Sequence, residues 1–217
     1  MAKKIISIQH TQSTHHGSGM VGGWTDWELT ELGKSQAENI GRNLSNELKE
    51  EQWRIYSSDL IRAHQTVEPL ARYMGVEINF LKELREMNHS GTESINKTIQ
   101  WHNENAAPTP TYDDRAFPSA ESWREFWVRI SDCCDKISKD EADNIIVVSH
   151  GMTMSVWQYA WMGLDISDFV YVGCPGGVSF MQVNDAGRRL INRWNDTMYM
   201  NLGLTTTKHN TPHDSIK

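Results

Sequence analysis

The feature that most constrains this chain is an alternation. Short apolar runs rich in β-branched residues recur at 4–8 ("KIISI"), 53–58 ("WRIYSS"), 144–149 ("NIIVVS") and 177–183 ("GVSFMQV"), with 189–194 ("RLINRW") close behind. Their length and composition predict strands. Interleaved with them are stretches of helical periodicity at 30–48, 59–74, 119–137 and 149–163. In the first, Leu32, Ala37, Ile40, Leu44 and Leu48 share one face and Thr30 stands at the N-cap position, while Gly163 is placed to end the last. Parallel neighbours in a sheet need a crossover, and a helix supplies it, so the pattern predicts an α/β fold with a mostly parallel sheet covered on both faces. The turn signal "VNDAG" between the last two runs predicts a C-terminal antiparallel hairpin.

A chain of 217 residues suffices for one core, so 1–217 reads as a single domain. The polar segment 88–118, with three prolines, breaks the alternation and predicts a small lid insertion above the sheet; the tail from about 203 to 217 has few apolar residues and reads as mobile. A net charge of -7 disfavours nucleic acid and anionic membrane as partners, so any bound anion must be held by a local cluster of donors. "MAKKIISIQH" has too few apolar residues for a secretory core, and no later run approaches the roughly 18–20 needed to span a bilayer, so a cytoplasmic protein is expected. Cys133, Cys134 and Cys174 form neither a CxxC pair nor a zinc-type spacing and read as reduced thiols. The nine tryptophans serve a core or an interface equally well, which leaves the oligomeric state open, a homodimer included.

Two histidines stand out by position. His10 follows the first strand almost directly and His150 follows "IIVVS" in the same manner, which places both at the carboxyl edge of a parallel sheet, where ligand sites form. Imidazole is the common group for nucleophilic and acid/base work near neutral pH. Arg62, in the first turn of its helix, can clamp an anion bidentately, and helix N-termini after 59 and 150 add N–H donors. Glu86 is a candidate acid at the same rim, its alternative being a salt-bridged surface residue. His10, His15 and His16 raise the question of a metal, but the run lacks the i, i+4 helical frame of an HExxH site, and Gly17 and Gly19 indicate a loop. No metal and no cofactor are expected.

The succession "QHTQSTHH", "GGWTDWELTELGKSQA", "YSSDLIRAHQTVEPLA", "LREMNHSGTE", "SAESW" and "VVSHGM" resembles the histidine phosphatase superfamily in its phosphoglycerate mutase-like branch, over roughly residues 3–195. The resemblance implies a three-layer α/β/α sandwich and a metal-independent mechanism through a covalent phosphohistidine. It makes His10 the nucleophile, Arg62 and His150 its phosphate-binding partners, and Glu86 the proton donor to the leaving oxygen. Those roles suit the chemistry: an alkoxide leaves poorly without a proton, and charge on the transferring phosphoryl group rewards preplaced cations. Glu121 and Ser122 match the last two positions of the family's Gly-Glu-Ser, and Thr11 and Trp24 flank the first blocks; these four are the candidates for the substrate pocket.

The first block departs from the family's Arg-His-Gly: Gln9 and Thr11 flank His10, and His16 stands where an Asn is usual. Losing a charge-assisted hydrogen bond at position 9 costs on the order of 1.5–3 kcal/mol, or about one to two decades in rate. Gln9 retains an N–H donor, and His16, helped by His15, is expected to restore part of the missing charge. Both Gln9 and His16 are therefore read as phosphate-binding, with activity favouring acidic to neutral pH. The lid carries only Lys97 and Arg115 as fixed cations beside Trp101, Tyr112 and Phe117, which suits a bulkier or less charged organic group. A phosphatase for a small phosphomonoester is the expected function; a mutase and a weakened member that binds phosphorylated ligands or a protein are the alternatives.

Overall fold

A computed structural model describes residues 3–89, 96–97, 100, 104–105, 109, 111–167 and 171–200. Six strands, β1 (Lys3–Gln9), β2 (Arg54–Ser57), β3 (Ile78–Phe80), β4 (Asn144–Ser149), β5 (Val178–Val183) and β6 (Arg189–Asp196), form one sheet in the order β3-β2-β4-β1-β5-β6. β1 to β4 run parallel, whereas β5 is antiparallel to both its neighbours, so the expected hairpin closes the sheet. Asn184 makes its turn by accepting the Ala186 and Arg188 N–H groups on its side-chain oxygen.

Alternation along the central strands sorts the core into two layers. Ile6 and Ile8 of β1 with Ile146 and Val148 of β4 face α2 (Glu31–Leu48) and α3 (Ile61–Met74), meeting Ile40, Leu44, Val67 and Leu70. Ile5, Ile145 and Val147 face α4 (Trp123–Ser138) and α5 (Gly151–Met162), meeting Phe126, Ile130, Val156 and Trp157. Each such aliphatic side chain removed from water contributes about 1.5–3 kcal/mol. With both faces covered, these strands have no polar side to show, which explains their continuous apolar runs.

Local signals acted largely as expected. Thr30 caps α2 by accepting the Gly33 N–H at 3.0 Å, and Gly163 ends α5 in the left-handed region at φ 71°. Leu32 is only half-buried; Gly33 takes its place on the inner face, where an added Cβ would lie 1.9 Å from the Gln12 carbonyl oxygen. The third helical pattern starts at Trp123 instead of 119, because Ser122 and Glu125 form a capping box there. Residues His15–Ser18 form one helical turn, α1, where a plain loop was expected. About half of the lid 88–118, Trp101 included, and the whole tail 203–217 lie outside the described residues. No described helix is long and apolar enough to cross a membrane. Burial pushes the Cys133 and Cys134 thiols up to about 12, in keeping with inert core residues.

Candidate active site

Parallel pairing brings the ends of β1, β2 and β4 to one edge. There the His10 N–H donates to the Ser149 carbonyl at 2.8 Å and the Ser58 N–H to that of Val148 at 2.9 Å. The chain beyond His10 is pinned: the Thr11 N–H donates to Thr66 Oγ1 at 3.1 Å, and Thr11 Oγ1 donates to the Gly33 carbonyl at 2.8 Å. Nδ1 of His10 lies 2.8 Å from the Thr11 carbonyl oxygen. A carbonyl only accepts, so Nδ1 carries the ring proton and Nε2 holds the lone pair. Arg62 Nε donates toward that Nε2 at 3.3 Å.

Arg62 is fully buried, and its two terminal nitrogens donate to the Thr25 carbonyl at 2.9 Å and the Gly23 carbonyl at 2.8 Å. Burial lowers its pKa to about 10, which leaves it a cation at neutral pH. The His150 ring stands edge-on to that of His10, 5.2 Å between centroids, with Nε2 2.8 Å from Ser58 Oγ; its buried Nδ1 has no hydrogen-bond partner among the described residues. Burial, and then the Arg62 charge, hold both His10 and His150 well below the ordinary imidazole range. Both rings are therefore neutral near pH 7, the state a nucleophile needs.

Glu86 reaches the same edge through β3 and the turn after it. Its carboxylate caps α5, accepting the N–H groups of Met87 (2.9 Å), Met152 (3.1 Å) and Thr153 (3.2 Å) and the Thr153 hydroxyl (3.3 Å). A carboxylate on the first turn of a helix meets free N–H groups and the positive end of the helix dipole. Around it stands a bracing frame. Arg129 donates to the carbonyls of Glu83, Arg85 and Glu86 and grips both Glu121 oxygens at 2.7 Å, and Glu121 also accepts the Asn88 N–H at 2.9 Å. Trp24 Nε1 donates to the Glu86 carbonyl at 2.6 Å, under the Arg85 and Arg129 guanidinium groups.

The structure thus gathers His10, Arg62 and His150 with Glu86 close by, and engages the outer candidates with other parts of the protein. Glu121 and Trp24 hold the backbone of the Glu86 turn, Ser122 caps α4, and the fully buried Thr11 anchors its loop. Gln9 is turned toward α5 and β5, into a cavity of about 10 Å³ lined by Ser7, Gly151, Gln158, Gly173 and Asn195. Among the described residues no hydrogen bond joins its amide to His10, Arg62 or His150. The strand's alternation puts residue 9 on the side of Ile5 and Ser7. His15 does not add the expected charge: burial first, then His16 and Arg62, lower its pKa to about 3. His16 lies parallel to the His10 ring, 5.4 Å between centroids, and its Nδ1 accepts the Ser13 N–H at 3.2 Å. Sequence reading missed Ser58, Arg129 and Thr153. Only the short distance of Ser58 from its strand end and of Thr153 from a helix start marked them.

Known proteins share this fold. Phosphoserine phosphatase 1 of Hydrogenobacter thermophilus is 24% identical over 201 residues, 91% of this chain and 94% of that protein. Among solved structures, the alpha-ribazole phosphatase from Shigella flexneri superposes with a TM-score of 0.77 at 21% identity, covering 89% of this chain and 96% of that one. Phosphoglycerate mutase from Bacillus anthracis gives 0.72 at 23% identity, covering 92% and 95%. The sequence profile of the histidine phosphatase superfamily (branch 1) matches residues 5–197, nearly the whole described fold, and the chain belongs to that superfamily.

Proposed function

We propose that the chain hydrolyses small organic phosphomonoesters through a phosphohistidine on Nε2 of His10. The observation that carries this is the fixed tautomer: the Thr11 carbonyl takes the Nδ1 proton, and the lone pair at Nε2 faces a buried cation. In the first step that lone pair attacks phosphorus, the bond to the leaving oxygen breaks, and Glu86, entering as the acid, protonates that oxygen. In the second step Glu86 takes a proton from water, the water oxygen attacks phosphorus, and the P–N bond returns its electron pair to His10. Arg62 and the free Nδ1 of His150 hold the phosphoryl oxygens. His16, beside the nucleophile, is the phosphate contact on the solvent side.

Hydrolysis is favoured over mutase chemistry by how the nearby arginines are spent. Arg85 is paired with Asp59, Arg129 with Glu121 and Arg115 with Glu125, so none of the three is left to hold a second anionic group such as a carboxylate. The substrate of this reading carries one phosphate on a weakly charged organic body. A cytoplasmic setting goes with it, supported by three free cysteines, and so does a homodimer, which sedimentation would reveal.

The test is a panel of phosphomonoesters assayed across pH, with acid-labile phosphate on the protein followed in parallel. Release of inorganic phosphate with a transient phosphoprotein, both absent in His10→Ala, is the expected result. An isomerised product, or ligand binding with no turnover on any member of the panel, would overturn the reading.

A further inference from the structure

The histidines at the mouth of the site have a second property. One ring nitrogen each from His10, His15 and His16 lie within 4.8 Å of one another, against about 3.4 Å between two ligands of a tetrahedral zinc ion. Closing that difference asks for side-chain rotation alone, with no movement of the backbone required. The missing i, i+4 frame is replaced by another: His10 comes from a strand end, and the helical turn α1 stacks His15 and His16 with 4.2 Å between centroids.

Each ring also has an outer partner that orients it, as metal-binding imidazoles do. The Thr11 carbonyl holds His10 by Nδ1. Ser13 Oγ, whose own proton goes to the Glu28 carbonyl at 2.9 Å, accepts from Nδ1 of His15 at 3.0 Å. Both residues therefore present Nε2. His16 is the ring that must adjust, since its Nδ1 accepts the Ser13 N–H and ligation exchanges that bond for the metal. His16 is solvent-exposed, which gives an ion its way in. The Arg62 guanidinium opposes a cation at this place, and an anionic fourth ligand between the two charges offsets it.

We infer that His10, His15 and His16 form a three-imidazole site for a borderline divalent transition ion, zinc above all, and that the ion switches the enzyme off by occupying the lone pair of the nucleophile. The switching clause rests on the phosphatase reading; the binding clause does not.

The experiment uses the full chain without an affinity tag, stripped with a chelator and titrated with Co²⁺. One equivalent should produce the visible bands of four-coordinate cobalt, displaced by Zn²⁺, and Zn²⁺ should inhibit phosphatase activity. In His15→Ala, and in His15→Gln as a check on folding, the bands should vanish. Zinc inhibition should weaken by at least about tenfold, with metal-free activity retained. Absence of the bands in wild type, bands that persist in both variants, or equal zinc inhibition of all three proteins would overturn the site. Cobalt bands that depend on His15 in a protein inactive on every phosphomonoester would leave the metal site standing and sink the phosphatase reading, so the two failures are distinguishable.

Discussion

His10 and His150 look alike in the sequence, each the first residue past a parallel strand, yet the fold gives them opposite orientations. The chain after His10 leaves as a pinned loop whose own carbonyl takes Nδ1, exposing Nε2 beside Arg62. The chain after His150 turns at once into α5, and a hydroxyl from the neighbouring strand end takes Nε2, leaving Nδ1 without a partner among the described residues. Position at a sheet edge brings an imidazole to a site. The partner of its second nitrogen decides whether it attacks or supports.

Substitutions that separate the two roles sharpen this comparison. His10→Ala should remove phosphoprotein formation altogether and lower kcat by at least about 10⁴-fold, read by stopped-flow and acid quench. Glu86→Gln should cost about 10²–10⁴-fold on alkyl phosphates and far less on aryl phosphates, whose leaving oxygen needs no proton. An equal loss on both would mean that Glu86 matters chiefly as the cap of α5. His150→Gln should slow phosphorylation on the order of 10²–10³-fold while the phosphohistidine still forms, and its complete loss would make the two histidines equal partners.

Both rings, with His15, are held neutral by the fold, which links them to stability. Their folded pKa values lie below the unfolded value of about 6.5, so on acidification the unfolded chain takes up protons that the folded chain refuses. Stability should therefore be full above about pH 6.5 and fall as pH drops below it. The slope is at most about 1.4 kcal/mol per pH unit for each ring, and His15 stops contributing near pH 3. Thermal unfolding between pH 7.5 and 5 tests this, before most carboxylates titrate; a flat melting temperature would contradict it, and His15→Gln should lessen the slope. The smallest effect belongs to the outer frame: Ser122→Ala should cost about 1 kcal/mol through the lost cap of α4 and leave KM unchanged, whereas a raised KM would return Ser122 to the substrate pocket.

Much of this was legible in the chain because it depends on local pattern. Apolar runs, the Thr30 cap and the Gly163 stop specify the strands and helices, and the alternation of elements specifies a parallel sheet, which alone delivers residues 10, 58 and 150 to one edge. What was not legible depends on contacts between residues far apart in sequence. Gln9 reads as a phosphate ligand until the sheet's alternation turns it toward α5, and Ser122 and Glu121 read as pocket residues until a helix start and an arginine claim them. His15 and His16 read as a pair of charges until burial beside Arg62 makes the first neutral. Sequence determined which groups arrive at the site, since periodicity is a property of neighbours along the chain. Only the tertiary structure decided which nitrogen, oxygen or charge each group presents, because that depends on where its other hydrogen bonds are satisfied and how much water is left around it.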